Sequence, residues 1–294
     1  MHDTLRPPTI DPAAARRWAA LELPAPAWLH EEVARRMAER LDWITRQPAS
    51  WLHWDPLRGG TQAHALLRQR YPQARTCMEA GATDPARVRQ RLEPMPWWRA
   101  WLAGRRPDAL PSAGVDMLWA NMALHMADDP QALIARWHEA LAVDGFLMFS
   151  CLGPDTLREL RALYAGLGWP PPAHDFTDMH DWGDMLVAAG FAEPVLDVER
   201  IVLTFATPQR LLQELRELGR NLHPARFPGL RGRDWRQRLE QAIAGGLRNA
   251  QGQFELTFEV IYGHAIKPAP RLASQTSNTV ALEDVRQALR QRKK

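Results

Sequence analysis

Asp178-Met-His180-Asp181 places three potential metal-ligating side chains within four positions. It heads an apolar-periodic stretch, where an aspartate accepts hydrogen bonds from the first backbone N–H groups of a helix. A helix cap is the economical reading, and no metal is expected. Cys77 and Cys151, the only cysteines, fall in apolar runs and read as inert buried thiols in a reducing compartment. No Ser/His/Asp or paired-carboxylate arrangement stands out as a nucleophilic centre. The strongest electrostatic signal lies in Arg210 to Arg248, with nine arginines against Glu214, Glu217, Asp234 and Glu240. That local balance of +5 exceeds the +3 of the whole chain. Such a segment favours an acidic partner. Stacking aromatics in strands are not concentrated there, so nucleic acid is not the expected one.

The elements that must position these residues read as alternating strands and helices. Ser50 to Trp54, Ala74 to Glu79, Gly114 to Ala120 and Phe146 to Cys151 are predicted strands. Gln62 to Tyr71 and Pro130 to Ala142 are predicted helices, with Asp55 to Thr61 a loop and Asp144-Gly145 a turn. This pattern implies a largely parallel sheet covered on both faces. A first helix is expected from Ala27 to Ile44, where Val33, Met37 and Leu41 recur every fourth residue. Two long strand-like runs, Val195 to Phe205 and Phe254 to Ile266, enclose the arginine-rich segment Pro208 to Ala250, read as a helical insert. Trp97, Trp98 and Trp101 read as local core. The organisation is then an N-terminal helical segment (1–46), a core (47–207), the insert (208–250), a last core strand (251–268) and a basic tail (269–294). No apolar run reaches about 18 residues and the amino terminus lacks a signal-peptide pattern, so a soluble cytoplasmic protein off the membrane is expected.

Several runs resemble the malonyl-acyl-carrier-protein O-methyltransferases of biotin synthesis. Gly114-Val-Asp-Met-Leu-Trp-Ala-Asn-Met-Ala-Leu-His125 and Asp144 to Leu160 are similar to the family's fourth and fifth strand motifs. Asp178 to Phe191, Glu217-Leu-Gly-Arg-Asn221 and Glu259-Val-Ile-Tyr-Gly-His-Ala265 are similar to its later helix, its insert and its last strand. The resemblance implies an α/β, Rossmann-like class I methyltransferase fold. Its sheet would have seven mostly parallel strands with an antiparallel last strand, and S-adenosylmethionine would be the methyl donor. The implied partner is acyl carrier protein in its malonyl form.

The family carries an Asp-x-Gly-x-Gly-x-Gly loop after the first strand, and here the corresponding stretch is His53-Trp-Asp-Pro-Leu-Arg-Gly59-Gly60. Either His53 or Asp55 stands in the acid's place, and both registers lose two glycines. Pro56 also fixes its φ and removes a donor. His53, Asp55, Gly59, Gly60 and Glu79 are the expected cofactor residues, with Glu79 on the ribose and binding weakened or lost. Asn121, His125 and Tyr262 are the expected catalytic positions, Tyr262 rather than His264 pointing into the pocket. Arg220, Arg226, Arg231 and Arg233 are the expected substrate contacts, with Arg220 on the carboxylate. A carboxylate is already an anion at neutral pH, so the reaction needs no general base. Two other readings stand beside methyl transfer: a catalytically silent binding or regulatory relative, and a relative that hydroxylates an arginine of a partner protein.

Overall fold

A computed structural model of the chain describes residues 10–21, 23, 25–81, 83–93 and 110–270. Six strands form one sheet: β1 (Ser50–Trp54), β2 (Arg75–Glu79), β3 (Val115–Ala120), β4 (Leu141–Leu152), β5 (Ala192–Phe205) and β6 (Phe254–Ile266), in the order β2-β1-β3-β4-β6-β5. β1 to β4 are parallel, while β6 runs antiparallel to both β4 and β5. The class I methyltransferase arrangement is therefore present, with the last strand antiparallel as expected. Among the described residues the sheet has six strands, where seven were expected. Between β2 and β3 the described residues form helix α5 (Pro85–Leu92), and residues 94–109, with the three tryptophans read as local core, lie outside the described residues. The tail beyond 270 also lies outside them.

Burial on both faces explains the apolar central strands. Five of the six residues of β3 are buried, and β6 is buried along almost its whole length. β5 is one edge of the sheet, and it alternates exposed and half-buried positions with Glu193, Asp197, Glu199 and Arg200 among them. Charge on an edge strand discourages pairing with another chain. It also binds α2 (Trp28–Arg40), whose Val33, Met37 and Leu29 pack into the core. Arg40 reaches Asp197 at 2.6 Å, and Arg36 hydrogen-bonds Glu32 at 2.7 Å and Glu199. Arg35 and Arg36 together hold the Glu32 carboxyl down at about 2.

Three local readings are corrected. The loop Asp55 to Thr61 contains one helical turn, α3 (Pro56–Gly59), because Pro56 at its first position has a φ preset for a helix. The turn at Asp144-Gly145 is a bulge: β4 already begins at Leu141, and its register against β3 shifts between Val115 and Met117 while Asp144 takes φ 63°. A helix not expected at all, α1 (Pro12–Ala19), precedes α2, its N-terminus capped by the Asp11 carboxylate. The remaining helices are α4 (Thr61–Arg70), α6 (Pro130–Ala140), α7 (Arg158–Gly166), α8 (Met179–Ala188), α9 (Pro208–Leu218) and α10 (Arg233–Gly246). Asp178 caps α8 by accepting from the His180 N–H at 2.8 Å, as its sequence suggested. Among the described residues no cluster of three or more His, Cys, Asp or Glu is placed to hold a metal, and no helix is long and apolar enough to cross a membrane.

Two measurements test this packing. Gly263 of β6 lies opposite Phe149 of β4, and a Cβ at 263 would overlap the Phe149 ring. Gly263→Ala is expected to lower unfolding free energy by about 1–3 kcal/mol in urea, and Phe149→Leu in the same chain to recover part of the loss. An unchanged midpoint would contradict that close approach. Burial also holds His30, His53, His125 and His174 below the ordinary histidine range, His174 at about 4. The unfolded chain then binds more protons below about pH 6.5, so stability present above that pH is lost as pH falls. His174 alone should cost roughly 2 kcal/mol by pH 5. A urea midpoint that stays flat between pH 7 and pH 5 would show that these rings are not buried in neutral form.

Candidate active site

Strand order reverses between β1 and β3, and the carboxyl ends of such strands form the crevice where open α/β sheets bind ligands. A cavity of about 230 Å³ occupies that place, with Trp54, Asp55, Asn121 and Met122 from the strand ends and Trp18 and Arg58 above them. Drug-sized ligands usually take about 300–1,000 Å³, so the cavity is small as it stands. Asp55 follows β1 in the left-handed region, φ 42° and ψ 60°, which aspartate tolerates better than most residues. A glycine would be expected in that conformation, which fits the register with His53 in the acid's place. Burial raises the Asp55 carboxyl to about 6, against the opposing pull of Arg58 and with a further push from Glu79. Glu79 ends β2 directly opposite Trp54, and its carbonyl accepts from the Asp55 N–H at 2.8 Å.

The surviving glycines are spent on internal packing. A Cβ on Gly59 would lie 2.9 Å from the Asn121 carbonyl oxygen, and one on Gly60 would lie 2.9 Å from a Glu31 carboxylate oxygen. Glu31 belongs to α2 and caps α4, accepting from the Thr61 N–H at 2.8 Å and the Gln62 N–H at 3.1 Å. An anion of the protein itself therefore fills that helix terminus. Arg58 fills the loop further: one of its nitrogens donates to the carbonyls of Trp18, Ala19 and Leu21 at 2.6–3.0 Å, and its guanidinium lies 4.5 Å from the Trp18 ring. Its buried Nη1 has no partner among the described residues. For S-adenosylmethionine the donor set fits in part. Asp55 lines the strand-end cavity and Glu79 ends the adjoining strand, whereas the loop lacks the open backbone that a close approach requires.

Asn121 is almost fully buried and its amide is used up by the protein. It donates to the His30 carbonyl at 2.8 Å and to the Gly59 carbonyl, and accepts from the Ser150 hydroxyl at 2.6 Å. His125 lies at the wall of a second cavity of about 110 Å³, lined mainly by apolar side chains such as Leu152, Leu160, Phe176 and Phe258. The Leu152 N–H approaches its Nδ1 at 3.4 Å, which leaves the ring proton on Nε2, and burial keeps the ring neutral. Arg220 lines this same cavity, its guanidinium donating to the Gly219 carbonyl at 2.8 Å. Met126 and Leu218 line both this cavity and the one at the strand ends, so the two adjoin.

Other predicted positions are not brought to this place. His53 is buried in β1 with its Nδ1 3.3 Å from the Nδ1 of His64 on α4, the two rings stacked. Tyr262 lies beneath Arg40, 3.5 Å from ring centre to guanidinium carbon, and burial raises its hydroxyl pKa. Neither residue lines the two cavities. Arg226 and Arg231 line another groove, which shares Pro172 and Asn221 with the His125 cavity, Arg226 pairing with Asp11 at 2.6 Å, while Arg233 is exposed at the start of α10 and lines none of these spaces. Trp18, Glu31 and Arg58 were missed. Asp11-Pro12, a cap followed by a proline, signals α1 in the sequence. The pairing of Glu31 with α4 spans 30 residues and has no local signal.

No protein-family model matches the chain. Among solved structures, the YcgJ protein of Bacillus subtilis aligns with a TM-score of 0.49 at 12% identity, over 81% of this chain and 99% of that one. Curated sequences are nearer. The malonyl-[acyl-carrier protein] O-methyltransferase of Laribacter hongkongensis is 43% identical over 256 residues, 83% of this chain and 84% of that protein. The enzymes of the same name from Gallionella capsiferriformans and a Methylovorus species are 39% and 38% identical, over 84% and 90% of this chain and 87% and 92% of theirs. With such identity across most of both partners, the chain belongs to the malonyl-[acyl-carrier protein] O-methyltransferase family.

Proposed function

We propose that this chain moves a methyl group from S-adenosylmethionine to the free carboxylate of malonyl-acyl carrier protein, with a weakened hold on the donor. The observation that carries the reading is the junction of the two cavities at Met126 and Leu218, together with the identity to its relatives. The donor supplies an electrophilic methyl sulfonium. The chain need only orient an existing anion and keep water away, so the absence of a base among neutral, buried histidines is no obstacle. His125 donates through Nε2 to a carboxylate oxygen, and Arg220 of the same cavity balances its charge. Glu79 would hold the ribose. Asn121 acts by fixing the loop and is a positioning residue. A soluble cytoplasmic location goes with such a substrate. The filled loop favours one other reading, a silent relative that keeps the fold to bind a partner.

Cofactor binding separates the two readings. A ligand at about 100 times its dissociation constant stabilises the native state by roughly 2.7 kcal/mol, a melting shift of roughly 5–10 °C for a chain of about this size. Millimolar S-adenosylmethionine should give a smaller shift, abolished by Glu79→Ala and enlarged when Asp55 and Leu57 are both replaced by glycine. No shift in any variant, with no methyl gained by malonyl-acyl carrier protein in the mass spectrum, would favour the silent relative. A mass gain of one oxygen would instead indicate hydroxylation.

Asn121→Ala leaves two carbonyls and a hydroxyl without their partner. Each buried polar group so stranded costs about 1–3 kcal/mol, so a loss of roughly 2–4 kcal/mol is expected in urea unfolding. Methyl transfer should fall with the folded fraction and with cofactor affinity. If Asn121→Ala left stability intact and lowered only the turnover at saturating cofactor, the side chain would be touching the reactants instead.

A further inference from the structure

The groove between α9, α10 and residues 170–172 has a volume of about 900 Å³. Five arginines line it, Arg210, Arg216, Arg226, Arg231 and Arg236, and no aspartate or glutamate does. Three of them are paired: Arg210 with Glu214 at 2.8 Å, Arg226 with Asp11 at 2.6 Å and Arg236 with Glu240 at 2.8 Å. Arg216 and Arg231 have no carboxylate partner among the described residues. Arg231 is held instead against aromatic rings, 3.6 Å from the Trp235 centroid and 4.4 Å from that of Phe227. A recess with unmatched guanidinium groups and no acid attracts an anion, and guanidinium forks suit phosphate oxygens in particular.

The groove also leads somewhere. Pro172 and Asn221 line both it and the apolar cavity that holds His125, and that cavity adjoins the one at the strand ends through Met126 and Leu218. The occupant must therefore be slender, with an anionic group at the groove and a reacting end at His125. An acidic protein face would not enter such a path. The geometry points to the groove as the seat of the phosphodiester of a phosphopantetheine thioester arm, held by Arg216 and Arg231, with the arm running past Asn221 into the apolar cavity. This assignment rests on the proposed reaction for the identity of the thioester. The same arm occurs on acyl carrier protein and in coenzyme A, and binding tells these sources apart.

Calorimetric titration of the full chain with 4′-phosphopantetheine and with pantetheine is the test. The phosphorylated arm should bind roughly tenfold tighter or more, and the difference should disappear in Arg216→Gln/Arg231→Gln, whose fold is checked by circular dichroism. Holo-acyl carrier protein should bind tighter than the apo form by a margin that the double variant removes. Coenzyme A binding as tightly as the holo carrier would make the free thioester an alternative source, and weaker binding would restrict the groove to the carrier-borne arm. Equal affinity for the two small probes would overturn the assignment. So would apo and holo carrier weakened alike by the double variant, since the arginines would then read the carrier surface. None of these titrations requires turnover. Discrimination without methyl transfer would count against the proposed reaction alone, and methyl transfer without discrimination against the groove alone.

Discussion

One buried amide ties the site together. Asn121 stands at the carboxyl end of β3, and its three hydrogen bonds reach the backbone of α2, the end of α3 and the Ser150 hydroxyl on β4. In a low-dielectric interior each of those groups would be costly if left alone, so satisfying them fixes three elements relative to one strand end. Gly59 can approach Asn121 only because it lacks a Cβ. The helical turn of α3, the left-handed Asp55 and the entry to α4 then have little freedom. Glu31 completes the arrangement from the other side by capping α4. The loop that in a glycine-rich sequence would shape itself around a ligand is here shaped around the protein's own atoms.

Arginine then carries nearly all of the positive charge, and its uses divide by environment. On α2 it is an exposed or half-exposed partner of β5, where single ion pairs contribute about 0–1 kcal/mol and the set mainly fixes how the helix lies on the edge strand. Arg58 is different. Half-enclosed, it donates to three carbonyls at and just past the end of α1 and sits beside Asp55 at 3.4 Å. Favourable interaction of a cation with a helix carboxyl end supports the same placement. In the insert, Arg216 and Arg231 line a groove that no aspartate or glutamate lines, and neither has a carboxylate partner among the described residues.

The sequence was legible where burial is two-sided and local. The apolar runs of β3 and β4 and the whole of Phe254–Ile266 could be read as strands because both faces of the sheet are covered. The antiparallel direction of β6 came from resemblance, since periodicity carries no direction. Contacts between distant residues were not legible. His53 has the alternation of a strand residue, and nothing in its neighbourhood says that it faces His64 and not the crevice. Tyr262 is one of many β6 residues on the same face, and only the packed structure puts Arg40 over it. Asn121 was singled out for chemistry, but the residues that occupy its amide lie 29 to 91 positions away.

Helix α1 touches both the strand-end cavity and the insert. It roofs the strand-end cavity with Ala15 and Trp18, and its buried residues form a small cluster with Ile10 and Leu222, separate from the two main cores. Trp18 lies between two guanidinium groups, 4.5 Å from Arg58 of the loop and 5.6 Å from Arg220 of the insert. Asp11 adds an ion pair to Arg226 and a backbone bond to Leu222. An eight-residue helix with three buried residues costs far less to lift than the sheet costs to unfold, which puts it at the low end of local stability. Its attachments run to the loop on one side and to the insert on the other. Trp18 on one side and Asp11 on the other thus pack the same short helix against both the loop and the arginine-rich insert.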